Sequence, residues 1–131
     1  MIGLDTNVVI RYLVQDDKKQ SAAATHFIET ALTAEEPGYI NAVTLSEIAW
    51  VLLRCYGVTK QQVQDIIEML LTTKQLVVEN VEVTWKALRT FNANSIDFSD
   101  ALIGRTNIHN GCERTVTFDK KAARLPEFEL L

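Results

Sequence analysis

What most constrains this chain is its alternation of very short apolar runs with longer stretches of helical spacing. Residues 1–4, 39–40, 76–78 and 115–118 read as strands, and 128–131 as a further edge strand. Helices are expected over 7–14, 18–33, 41–56, from 59 onward, over 81–91, 97–110 and 120–125. Pro37-Gly38 punctuates the chain, Gly57 suits a helix end, and Thr59-Lys60-Gln61-Gln62 has the form of a capping box. Behind that box Val63, Ile66, Ile67, Leu70 and Leu71 make one apolar stripe, and Val81, Trp85, Leu88 and Phe91 mark another. Short strands alternating with helices predict an α/β fold whose central sheet is mostly parallel and flanked by helices. Ligands of such sheets bind beyond the carboxyl ends of the strands.

Two acids stand at those ends. Asp5 closes the run Ile2-Gly3-Leu4, and Asp119 closes Thr115-Val116-Thr117-Phe118. Two more, Glu47 and Asp100, have mostly apolar neighbours at helical spacing: Val43, Thr44, Trp50 and Val51 for the first, Ile96, Ile103 and Gly104 for the second. A buried acid is costly without a partner, and a divalent cation is one effective partner. If the fold gathers these four, the chain holds a Mg²⁺ or Mn²⁺ site suited to phosphodiester hydrolysis.

Each acid also has an ordinary explanation. Asp5 or Thr6 can cap the following helix, and a carboxylate can cap and ligate at once; Asn7 shares that ambiguity. Glu47 can lie at the exposed edge of its stripe or pair with Arg54. Asp97 and Asp100 suit a helix start, although Asp100 would point toward the sheet's carboxyl end. Asp119 can be a turn residue, with the Thr117 hydroxyl available to a ligand.

The remaining composition narrows the options. A length of 131 residues predicts one domain over 1–131, with 47% hydrophobic and 23% charged residues typical of a globular chain. The longest unbroken apolar run, 48–53, is too short to cross a membrane, and the N-terminal sequence lacks the basic segment of a signal peptide. Cys55 and Cys112 lack metal-type spacing, so a reduced, cytoplasmic setting is expected. The net charge of −4 speaks against a generic basic nucleic-acid binder, but bound Mg²⁺ would offset part of an acid cluster. His26 and His109 are expected to face solvent, and no phosphate-binding glycine motif is present.

Taken together, Ile2-Gly3-Leu4-Asp5-Thr6-Asn7, Ser46-Glu47, Asp97-Phe98-Ser99-Asp100-Ala101-Leu102-Ile103 and Thr117-Phe118-Asp119 resemble the four motifs of PIN-domain ribonucleases. The resemblance is closest to the VapC-type toxins of bacterial toxin–antitoxin pairs. It implies a PIN-like three-layer sandwich in which Asp5, Glu47, Asp100 and Asp119 hold one or two Mg²⁺ or Mn²⁺ ions to cut RNA. Asp97, Thr6, Asn7 and Thr117 would support them. It further implies a homodimer and a small antitoxin that lays a peptide across the acidic pocket. A phospho-receiver domain is the chief rival, but it needs adjacent acids after the first strand, where Asp5 stands alone. A PIN-like module that only binds RNA or protein is the other.

Overall fold

The short apolar runs pair as the alternation requires: every strand pair in the structure, a computed structural model describing Met1–Leu131, is parallel. The chain forms two compact units, Met1–Glu79 and Asn80–Leu131. In the first, β1 (Ile2–Gly3), β2 (Gly38–Ile40) and β3 (Leu76–Val78) make one sheet in that order. Parallel neighbours need long crossovers, and these are helical. Between β1 and β2 run α1 (Thr6–Val14) and α2 (Lys18–His26); between β2 and β3 run α3 (Ala42–Cys55) and α4 (Lys60–Thr72). With all three strands running the same way, Asp5, Asn41 and Glu79 follow strands at one edge, the carboxyl edge.

Local signals set the helix ends. Asn41 caps α3 by accepting the Thr44 N–H at 2.8 Å, and Gly57 turns the chain away after α3 at a φ of 62°. Thr59 and Gln62 make both bonds of the expected box: the Gln62 N–H reaches Thr59 Oγ1 at 3.2 Å, and the Thr59 N–H reaches Gln62 Oε1 at 2.9 Å. Thr59→Ala is expected to cost about 1 kcal/mol, read as a lower urea midpoint at an unchanged m-value. The helix expected over 18–33 differs in kind. It is α-helical only to His26, and Phe27–Ala31 continue as a π turn closed by the Leu32 N–H on the Phe27 carbonyl at 3.0 Å. Leu32 then turns extended and buries its side chain.

The core of this unit draws on Ile40, Leu45, Ile48, Leu52, Val63, Ile67 and Leu70, all fully buried. The α4 stripe is therefore real, with Ile66 and Leu71 half-buried at its margins.

In the second unit, α5 (Val81–Ala93) and α6 (Phe98–His109) pack together, and the Phe91 and Phe98 rings meet edge to face at 5.8 Å. The stripe expected on α5 is shifted. Thr84, Ala87 and Val83 are buried with Leu88 and Phe91, whereas Val81 is exposed and Trp85 only half-buried. Small side chains allow close backbone approach, and an indole at the margin keeps its N–H near water. Gly104 serves the same end on α6, because a Cβ there would stand 2.6 Å from the Phe128 ring. Arg105 ties the two helices through Nε and Nη2, which donate to Thr90 Oγ1 at 3.2 and 3.1 Å. The strands β4 (Thr115–Thr117) and β5 (Phe128–Leu130) pair in parallel, and the helix expected over 120–125 contracts to a single 3₁₀ turn, Ala122–Arg124. No helix is long and apolar enough to cross a membrane.

Candidate active site

Asp5 leaves β1 in extended conformation and caps α1, its Oδ1 accepting the Thr6 N–H at 2.8 Å. The capping reading is thus correct, and Oδ2 remains uncommitted. The Thr6 hydroxyl donates to Glu47 Oε2 at 3.3 Å, which draws the α3 glutamate to the start of α1. Glu47 itself is exposed, contrary to the expectation of an acid on a buried stripe. Its apolar neighbours are exposed too, Val43 at 69% and Trp50 at 57%, because α3 buries the face carrying Thr44, Leu45, Ile48, Ala49 and Leu52. Helical spacing finds an apolar face but cannot say which of two apolar faces the fold covers. The alternative pairing of Glu47 with Arg54 does not form.

Asp5, Thr6, Asn7 and Glu47 line one cavity of about 380 Å³ together with Ile10, Val51, Arg11 and Tyr56. Neither of the last two was singled out from sequence. The signal was present, since Asn7 and Arg11 are four residues apart and so share a face of α1. Arg11 is held by three residues. Its Nε donates to Gln20 at 2.7 Å, and one Nη donates to both Asp16 oxygens at 2.9 and 3.1 Å and to the Tyr56 hydroxyl at 3.3 Å. Tyr56 in turn donates to Asp16 at 2.7 Å. That bond, then those of Arg11, hold the Asp16 carboxyl below the usual aspartate range, and the same bond to Asp16 lifts the Tyr56 phenol.

In the second unit, Asp97 stands at the N-cap of α6 without a side-chain cap bond, and Asp100 occupies the first turn. Burial, then the charges of Asp119 and Asp97, push the Asp100 carboxyl up from its ordinary value. The three acids are therefore within electrostatic reach of one another. Asp119 also makes the turn its sequence suggested, Oδ1 accepting the Lys121 N–H at 2.8 Å and the Ala122 N–H at 3.3 Å. Thr117 Oγ1 accepts the Asp119 N–H at 3.0 Å, so its first task is to shape that turn. Phe118, between them, is 79% exposed and lies outside the strand.

In neither unit do three or more His, Cys, Asp or Glu side chains converge as a ready-made metal cage. The donors nonetheless fit a hydrated hard cation. Mg²⁺ prefers oxygen, keeps several waters and commonly uses one or two carboxylates. Asp5 retains a free oxygen beside Glu47, and Asp100 is an acid made uneasy by two others.

No curated protein is matched by the sequence. The pattern of the PIN domain matches residues 2–127, which spans both units. PIN domains are generally nucleases, and they usually employ divalent metal ions. A match of that extent, over an α/β chain in which Asp5 and Asp119 follow parallel strands, makes this protein a member of the PIN-domain family.

Proposed function

We propose that the chain is a Mg²⁺- or Mn²⁺-dependent endoribonuclease that hydrolyses RNA phosphodiester bonds through Asp5, Glu47, Asp100 and Asp119. The observation that carries this reading is Asp100, whose carboxyl is raised by burial and by two neighbouring acids. Such a grouping opposes ionisation in the protein alone and welcomes a dication. When bound, the cation supplies positive charge for the phosphate and acidifies water. Asp5 and Asp100 would hold the cation, with Glu47 and Asp119 assisting. Asp97 adds negative charge beside Asp100, Thr6 fixes Glu47, and Thr117 fixes the Asp119 turn.

Within this reading the protein is the toxin of a toxin–antitoxin pair and works in the cytoplasm as a homodimer. A small antitoxin covers its acidic pocket. The order of the four acid motifs along the sequence supports that assignment.

The test is incubation of the purified protein with total cellular RNA and Mn²⁺ or Mg²⁺. Discrete fragments that disappear with EDTA are the expected result. Intact RNA, with metal binding demonstrated by calorimetry, would replace the nuclease with a binding or signalling module.

A further inference from the structure

The acid cavity of the first unit is also lined by Arg11, a basic hydrogen-bond donor that the four-acid reading leaves unused. Arg11 and Asn7 lie one helical turn apart on α1 and line the same cavity as Asp5 and Glu47. The Arg11 Nε and Nη1 are committed to Gln20, Asp16 and Tyr56, whereas its Nη2 makes no hydrogen bond. The Asn7 carboxamide makes none either, and the residue is exposed. Arg11 and Asn7 therefore leave donors uncommitted on one face of α1, among the residues that line the same cavity as Asp5 and Glu47. Both residues also line an adjoining groove of about 790 Å³ with Ile2, Leu4, Val8 and Phe27, so a chain passing the acids has somewhere to continue.

We propose that Arg11 and Asn7 form a clamp for a phosphate of single-stranded RNA flanking the bond that is cut. The inference rests on the ribonuclease reading. Arginine suits the task because its planar guanidinium presents N–H groups in fixed directions that match phosphate oxygens. Here the guanidinium is already immobilised from three sides, from α2 by Gln20, from the α1–α2 connection by Asp16, and from the end of α3 by Tyr56. Ordering it on binding costs little further entropy. Asp16 offsets part of its charge, which favours an anion that also uses the Asn7 amide over one held by charge alone. A cavity of about 380 Å³ matches a nucleotide-sized ligand. The acids repel phosphate, so a donor pair lining the same cavity sets the register of the strand against them.

The experiment compares wild type with Asn7→Ala, Arg11→Gln and Arg11→Lys. Fluorescence anisotropy with a short labelled single-stranded RNA of mixed sequence, in EDTA over a salt series, reports binding without cleavage. Steady-state cleavage of the same RNA with Mn²⁺ gives kcat and KM. Arg11→Gln is expected to weaken binding and raise KM about tenfold, with kcat within a factor of about two. It should flatten the slope of log K against log salt by about 0.7, the value of one lost phosphate in a single strand. Arg11→Lys should restore the slope but not the full affinity. Asn7→Ala should raise KM several-fold at an unchanged slope. Because Asn7 makes no bond in the fold, this variant decides the matter even if Arg11→Gln unfolds. Wild-type cleavage with Asn7→Ala and Arg11→Lys both indistinguishable from it overturns the clamp alone. A wild type that binds and cuts nothing overturns the ribonuclease reading and the clamp together. Binding that depends on Arg11 without cleavage keeps Arg11 as a phosphate contact but overturns the nuclease and, with it, a clamp beside a cut bond.

Discussion

Asp100→Asn should abolish RNA cleavage while making the metal-free protein more resistant to heat. The loss of turnover is expected to exceed about a hundredfold, since even residues that merely support a metal ligand cost about 10–100-fold. The gain in stability follows from the direction of the shift. Burial, Asp119 and Asp97 all raise the folded-state pKa of Asp100 above its unfolded value. A raised carboxyl favours the fold when protonated, so its contribution is fully present below the unfolded pKa and is lost as pH rises through the folded one. At neutral pH the ionised Asp100 is therefore a cost that asparagine removes. Melting curves in EDTA should place Asp100→Asn above wild type at pH 7, with the gap closing on acidification toward the ordinary aspartate range. Added Mn²⁺ should raise the wild-type midpoint and narrow the gap by binding the folded state. A variant that melts below wild type at pH 7 would show that the acid is stabilised by a partner in the fold, and the metal assignment would lose its main support.

The largest effect on stability is expected from Phe98→Ala. Phe98 is 1% exposed, meets the Phe91 ring edge to face, and begins the helix that carries Asp100. Truncation of a buried phenylalanine removes about 3–5 kcal/mol, a large share of the 5–15 kcal/mol that ordinarily separates folded from unfolded. Urea unfolding should show a strongly lowered midpoint with little change in m-value. Phe98→Leu should retain most of the loss-prone packing and fall well below that cost. Cleavage should decline only as the folded fraction does, because the ring touches no reacting group. That behaviour separates Phe98→Ala from Asp100→Asn, where activity falls and stability does not.

Some ends of the elements were legible in the sequence. The Thr59–Gln62 box and the Gly57 turn are decided by atoms within a few residues of each other, so local chemistry specifies them. The parallel pairing was legible too, because strands this short, separated by helices, have few other ways to pair, although the one expected central sheet is divided into a three-stranded and a two-stranded sheet. So were the positions of Asp5 and Asp119 after strands, and both the capping role and the turn role read for them are present in the same carboxylates.

Faces and partners were not legible. Val43 and Trp50 repeat with helical spacing as faithfully as Leu45 and Ile48 do, yet only the second pair is buried. On α5 the fold chose Thr84 and Ala87 over Val81 and Trp85, since close approach to a neighbour rewards small side chains as much as apolar ones. Arg11 could not be recognised as a fixed donor before Asp16, Gln20 and Tyr56 were seen around it, the last of them 45 residues away. By itself the sequence determined the order of strands and helices, their parallel pairing, and which acids follow the strands. Only the tertiary structure decided which helix face meets the core and which groups meet Asp5, because periodicity is a property of one element and burial is a property of two.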